Sequence, residues 1–202
     1  MSRARTAVLV SGRGSNLQAL IDACTAPDFP AEIALVFSNV AAAEGLERAA
    51  RASIATKIIS HKLFASREEF DRAMDAALLA ADVSIICLAG FMRILSDWFA
   101  RRWQGKLINI HPSLLPAFKG LNVHQQVIDA GVQISGCTVH FVVPELDSGP
   151  IIAQAPVPVE QGDTAERLAA RTLAEEHKLY PVALKLLASG KVKLENGRAV
   201  FA

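Results

Sequence analysis

The sequence predicts an α/β fold: a mostly parallel twisted sheet with helices on both faces. Three observations carry this. Apolar, strand-like runs alternate with segments of helical periodicity along the chain, the pattern of strands joined by crossover helices. Hydrophobic residues make up 51% of the chain and charged residues 20%, ordinary for a globular protein whose sheet is covered on both sides. The 202 residues fit one domain and suffice for a substantial core.

Strands are expected at 6–10, 33–38, 56–59, 83–89, 106–110, 136–142 and 151–157. Between the first two lies a helix opened by Ser15, with Leu17, Leu20, Ile21 and Cys24 at i, i+3, i+4 and i+7. Ser15 and Gln18 have the S-x-x-Q spacing of a capping box. Further helices are expected at about 43–52, 66–81, 96–103, 122–130 and 164–188. The final "KVKLENGRAVF" carries an Asn196-Gly197 pair between short apolar flanks, a hairpin signal. There is no repeat, low-complexity linker or composition break, so a single domain over 1–202 is expected.

Charge and cysteine usage exclude several classes. Lys and Arg number 21 against 20 Asp and Glu, which gives no case for a nucleic-acid or membrane partner. The three cysteines, Cys24, Cys87 and Cys137, form no C-x-x-C, which favours a reduced compartment over a disulfide framework. No apolar run reaches a membrane span's length of roughly 18 residues. The N-terminus "MSRARTAVLVSG" is basic and then apolar, but its apolar part is about five residues, short of a signal sequence. A cytoplasmic location is expected.

After the first strand, "SGRGSNLQAL" leads through Gly12, Gly14, Ser15 and Asn16 into a helix. Glycines there let backbone N–H groups approach an anion, and the helix dipole favours negative charge. A dinucleotide fingerprint is excluded: Leu17 stands where a third small residue is needed, and Ser38-Asn39 where the second strand should end in an acid. The Gly-Lys-Ser/Thr of a Walker loop is absent. What remains is a site for a single phosphate, or a tight turn with no ligand.

The stretch "INIHPSLLP" places Asn109 and His111 two residues apart at the end of a strand, so both point to one side. Ligands of open α/β sheets bind beyond such strand ends. A His moves protons near neutral pH, and an Asn amide donates to an oxyanion without carrying charge. No nucleophile stands out. Ser113 lacks a G-x-S-x-G elbow, and Cys137 sits in the strand-like "GCTVHFVV", where a packed thiol is the better expectation. Downstream, "PELDSGP" sets Asp147 in a polar turn. Such an acid is either turn chemistry or a His partner. His61, His124, His140 and His177 have no metal-ligand spacing, with His140 the one to watch, and no metal is expected.

Taken together, "SGRGSNLQALIDA", "VFSN", "GLERA", "LAGFMRILS", "INIHPSLLPAFKG", "GCTVHFVVPELDSGPIIAQAPVPV" and "EEHKLYP" resemble the formyltransferase superfamily and, within it, the phosphoribosylglycinamide formyltransferase family. The similarity runs in order over nearly the whole chain. It implies a Rossmann-like formyltransferase fold whose N-terminal half, about 1–100, holds a nucleotide phosphate. The C-terminal half, about 101–202, would carry catalysis and the folate site. It further implies Asn109, His111 and Asp147 as the catalytic set. Gly14, Ser15 and Asn16 would hold the phosphate of glycinamide ribonucleotide, with Glu176 near its glycinamide end. Met92, Arg93, Ile94, Leu95 and Asn109, with the loop 142–147 and its Val142 and Val143, would enclose the pterin of 10-formyltetrahydrofolate, the cosubstrate. Arg67 would meet the folate's glutamate carboxylate. One departure is Cys137, where family members often carry Thr or another small residue.

The implied reaction is direct: the substrate amine attacks the formyl carbon, and Asn109 and protonated His111 stabilise the oxyanion while Asp147 keeps His111 charged. Both substrates are small molecules, and the protein would act as monomer or homodimer. Three alternatives compete. A formyltetrahydrofolate deformylase shares the motifs but generally has an extra N-terminal domain, whereas this chain starts at its first strand. A methionyl-tRNA formyltransferase adds a basic RNA-binding domain. A non-catalytic folate- or nucleotide-binding module would leave Asn109, His111 and Asp147 without a job.

Overall fold

The computed structural model describes residues 3–202. In chain order the elements are β1 (Ala4–Val10), α1 (Ser15–Cys24), β2 (Ala31–Ser38), α2 (Glu44–Arg51), β3 (Thr56–Ile58), α3 (Arg67–Ala80), β4 (Ile85–Leu88), α4 (Asp97–Arg102), β5 (Leu107–His111), α5 (Val123–Asp129), β6 (Ile134–Phe141), β7 (Ile151–Pro158), α6 (Ala165–Ala188), β8 (Val192–Glu195) and β9 (Arg198–Phe201). Seven strands form one sheet in the order β3-β2-β1-β4-β5-β6-β7. Strands β1 to β5 pair in parallel, and β6 runs antiparallel to both β5 and β7, so it alone opposes the rest. The expected mostly parallel sheet is what forms.

Both faces of the sheet are covered because successive strand residues are apolar. Val8, Val10, Cys87, Ile108 and Val139 pack under α1 and α6, against Leu17, Leu20, Tyr180 and Leu184. Their neighbours Ala7, Leu9, Ile86, Leu88 and Leu107 face the other way, under Phe70, Met74 and Leu78 of α3 and Phe99 of α4. Alternate residues of one strand thus feed two cores, which explains runs that are hydrophobic without alternation. Tyr180 ties α6 to the sheet by donating from its buried hydroxyl to the Leu88 and Ile108 carbonyls, 2.9 and 3.2 Å.

Strand order reverses at the β1–β4 pair. The chain winds outward from there in both directions, which opens a crevice at the carboxyl ends of these strands. Ser11, just past β1, and Gly90, just past β4, meet across it, with the Ser11 N–H donating to the Gly90 carbonyl at 3.1 Å.

Most strand bounds shift by one or two residues from the sequence expectation, and two differences have a clear cause. Strand β4 is shorter than 83–89, because Val83 and Ser84 bond to the Leu78 and Arg5 carbonyls before the ladder proper begins. Ser15 is not the cap of α1. The N-cap is Gly14, at φ 68° and ψ 32°, with no side-chain cap bond. A Cβ on Gly14 would lie 2.7 Å from the Gly45 Cα, so the helix start is set by a close backbone approach between two loops. Only glycine combines that approach with a left-handed backbone. Gly14→Ala is therefore expected to destabilise the fold by about 1–3 kcal/mol, read as a lower urea midpoint at unchanged m value. The terminal hairpin forms as expected: Asn196 and Gly197 both have positive φ, 48° and 74°, as a type I′ turn requires.

Candidate active site

The carboxyl ends of β4 and β5 open into a cleft of about 700 Å³. Its walls come from the turn after β4, the end of β5, the 120–124 segment and the loop leaving β6. Asn109, His111 and Asp147 all line it, together with Arg67, Met92, Arg93, Ile94, Leu95, Val142 and Val143. Both halves of the chain therefore build this cleft. Gly14, Ser15, Asn16 and Glu176 are not among its lining residues. They gather at the start of α1, where the Asn16 amide donates to the Glu176 carboxylate at 2.7 Å.

Asn109 owes its orientation to a neighbour that the motif does not contain. The β5–β6 register sets Asn109 directly opposite His140, and the Asn109 Nδ2 lies 3.2 Å from the His140 Nε2. His140 is 2% exposed, and burial pushes its pKa below the ordinary histidine value, outweighing the nearby Asp147 charge. The His140 Nδ1 faces the Phe141 carbonyl at 2.9 Å, an acceptor, so the single ring proton of neutral imidazole sits on Nδ1. The His140 Nε2 then accepts from Asn109. This fixes the carboxamide and leaves its second N–H unassigned by any protein partner.

His111, 5% exposed, has an acceptor at each nitrogen. Its Nε2 donates to the Phe118 carbonyl at 2.8 Å, and its Nδ1 lies 3.5 Å from the Asp147 Oδ2. The same Asp147 oxygen accepts the Gly120 N–H at 2.9 Å, while its other oxygen is 4.0 Å from the His140 Nε2. Asp147 is thus pinned between two histidines and a backbone amide, on a loop residue with φ 48°.

The loop carrying Asp147 is docked by a glycine. A Cβ on Gly149 would stand 1.7 Å from the Phe141 carbonyl oxygen, so the Asp-x-Gly-Pro element lies flat against the end of β6 only because it has no side chain there. Gly149→Ala is expected to lift this loop and reduce kcat by about 10²-fold or more through misplacement of Asp147, in a steady-state assay.

The remaining surface of the cleft is mostly apolar. Met92 is 70% exposed and Ile94 56%, with Leu121 and Leu146 also exposed; apolar side chains clustered at a mouth mark a binding surface. The Nε of Arg93 is buried with no partner. His124, which also lines the cleft, has its pKa lowered by burial and by His111. Ser113 is fully buried and donates to the Ala117 carbonyl at 2.6 Å, a structural bond. Cys137 is a packed thiol, as expected from its strand: it is fully buried and burial pushes its pKa up to about 12. Cys24 rises to about 11 for the same reason. All three cysteines are free. Among the described residues no cluster of His, Cys, Asp or Glu is arranged to hold a metal ion, and no helix is long and apolar enough to cross a membrane.

At the α1 group, Glu176 is 7% exposed, and burial raises its pKa above the usual carboxyl range despite the Asn16 bond. Folding thus favours its neutral form, so its contribution to stability is largest below its ordinary value of 4.5 and is lost as pH rises through the raised one. Glu176→Gln keeps an acceptor for Asn16 without the charge. Its Tm is expected to exceed the wild type at pH 8 and to match it near pH 4, by calorimetry. The Asn16 Oδ1 and Thr172 Oγ are also buried without partners, which makes this pocket polar and incompletely satisfied.

Residues 4–184 match a family model described as formyl transferase. The chain belongs to the formyl transferase family. It is similar to the phosphoribosylglycinamide formyltransferase of Escherichia coli, at 46% identity over 95% of this chain and 91% of that protein. It is also 57% identical to part of the trifunctional purine biosynthetic protein adenosine-3 of Bos taurus, over 97% of this chain but 20% of that protein. The formyl transferase chain thus spans about a fifth, or less, of the length of such trifunctional relatives. Among solved structures, glycinamide ribonucleotide transformylase 1 from Symbiobacterium toebii superposes with a TM-score of 0.95 at 45% identity, covering 98% of this chain and 94% of that one. Phosphoribosylglycinamide formyltransferase from Brucella melitensis gives 0.89 at 54% identity, with 94% and 97% covered.

His140 was the histidine to watch in the sequence of this formyl transferase, but it carried no assigned role there. The signal was present in "GCTVHF", but using it requires the antiparallel register of β6 on β5. The backbone partners Phe118 and Gly120 carry no side-chain signal at all.

Proposed function

We propose that this chain transfers the formyl group of 10-formyltetrahydrofolate to the amine of glycinamide ribonucleotide, a step of de novo purine biosynthesis, as one cytoplasmic catalytic unit. The observation that carries the reading is the convergence of Asn109, His111 and Asp147 in an apolar cleft with no activated nucleophile. Such a set serves direct transfer between two bound substrates rather than a covalent enzyme intermediate.

The cleft fits a flat pterin, since its walls are apolar with a few polar groups for orientation. Met92 to Leu95, Val142 and Val143 would enclose the ring, and Arg67 would meet the glutamate carboxylate. The folate supplies the formyl group: the amine of the nucleotide attacks its carbon, and the tetrahedral intermediate collapses by breaking the bond to the folate nitrogen, which takes up a proton and leaves as tetrahydrofolate. The free N–H of Asn109 donates to the formyl oxygen as it gains negative charge, and the His111 ring, when protonated, adds positive charge beside it. A preorganised donor of this kind contributes about 10²–10³-fold. The carboxylate of Asp147 faces the His111 ring at 3.5 Å and helps accept the proton the amine sheds. Gly14, Ser15 and Asn16 present the start of α1 to the nucleotide's phosphate, with Glu176 nearer its glycinamide end.

The test is consumption of 10-formyltetrahydrofolate by the purified protein with and without glycinamide ribonucleotide. Dependence on the nucleotide is expected. Equal consumption in its absence would favour the hydrolase reading instead.

A further inference from the structure

Asn39 stands where a dinucleotide-binding strand would end in an acid, and nothing above uses it. It is 5% exposed, and its partners explain the residue. The Met92 N–H donates to the Ser11 Oγ at 2.8 Å. A backbone amide only donates, so the hydroxyl accepts there and its own proton goes to the Asn39 Oδ1, 2.6 Å away. The Asn39 amide is thereby oriented with its Nδ2 toward the His61 Nδ1, at 3.2 Å. The Ser11 N–H meanwhile holds the Gly90 carbonyl at 3.1 Å. One residue therefore clips the turn after β4 on both sides of Phe91, whose ring packs edge-on to Phe37 with centroids 6.3 Å apart. Gly90 itself is left-handed, φ 74°.

We propose that Ser11 and Asn39 are positioning residues for the formyl-folate cosubstrate, acting together through the Met92 amide to hold the 90–95 turn in its binding conformation. The inference rests on the folate assignment of that turn. Ser11 sits between the turn and the glycine loop of the nucleotide site, so it joins the two halves of the active site. Without the Ser11 hydroxyl, the Met92 N–H and the Asn39 Oδ1 lose their partners, and the turn is free to leave the conformation that the cosubstrate binds.

The test compares wild type, Ser11→Ala, Asn39→Ala and the double variant by calorimetric titration with 10-formyltetrahydrofolate and by steady-state kinetics. Each single variant is expected to raise Kd and KM for the folate about tenfold, the loss expected when a hydrogen bond holding the turn is removed. The KM for the nucleotide and kcat should stay within about twofold, and the double variant should match either single, because the pair works as a unit. Asn39→Asp keeps an acceptor for Ser11 and should bind folate within about threefold of wild type. Folate affinity unchanged in both Ala variants, or single effects that multiply in the double, would overturn the proposal. A drop in kcat with folate KM unchanged would overturn it as well. Wild-type protein that binds folate but fails to turn over would instead defeat the functional reading, and the Kd series would still decide the role of Ser11.

Discussion

Asp147→Asn is expected to lower kcat by about 10²–10⁴-fold while the KM for glycinamide ribonucleotide stays within about threefold and Tm hardly moves. The geometry makes this a clean removal of charge. The Asp147 Oδ2 accepts from the Gly120 N–H and faces the His111 Nδ1, at 2.9 and 3.5 Å. An amide keeps an oxygen in that place by putting its NH₂ where the other carboxylate oxygen stands, 4.0 Å from the His140 Nε2. The loop remains docked on Gly149, so only the negative charge beside His111 is lost. Near-wild-type turnover in this variant would show that His111 works without its partner.

The second large effect is at Asn109. Asn109→Ala removes the N–H aimed into the cleft and leaves the His140 Nε2 without its donor. Loss of one preorganised donor to a developing oxyanion lowers kcat by about 10²–10³-fold, and the orphaned buried imidazole adds about 1–3 kcal/mol of destabilisation. Folate KM should rise far less than kcat falls, since the donor acts on charge present only in the transition state. A variant that instead lost folate binding at unchanged kcat would make Asn109 a binding group. Steady-state kinetics with both substrates varied, beside a thermal melt, separates the two.

How much of this was legible in the sequence differs from one element to another. The parallel sheet was, because residues such as Val8 and Leu9 feed opposite cores and must both be apolar. The pairing of Asn109 with His111 on one side of β5 followed from the two-residue period alone. The start of α1 was misread for a physical reason: Ser15 and Gln18 have capping-box spacing, but the helix begins where Gly14 meets Gly45, a contact between distant segments that no local pattern encodes. His140 was singled out but left without a role, because that role depends on which residue β6 sets opposite Asn109. Asp147 reached the proposed catalytic set by family resemblance, since its 36-residue separation from His111 leaves no local trace. The grouping of Asn16 with Glu176 had the same origin, and it brings the first and last major helices together at one end of the sheet.

The most direct measurement follows the formyl carbon itself. The protein is mixed with 10-formyltetrahydrofolate labelled in the formyl group and saturating glycinamide ribonucleotide, and the label is located by NMR after a single turnover. The account predicts that the label appears in a formamide on the nucleotide, with almost none in free formate. Label recovered chiefly as formate, with the nucleotide unmodified, would contradict it.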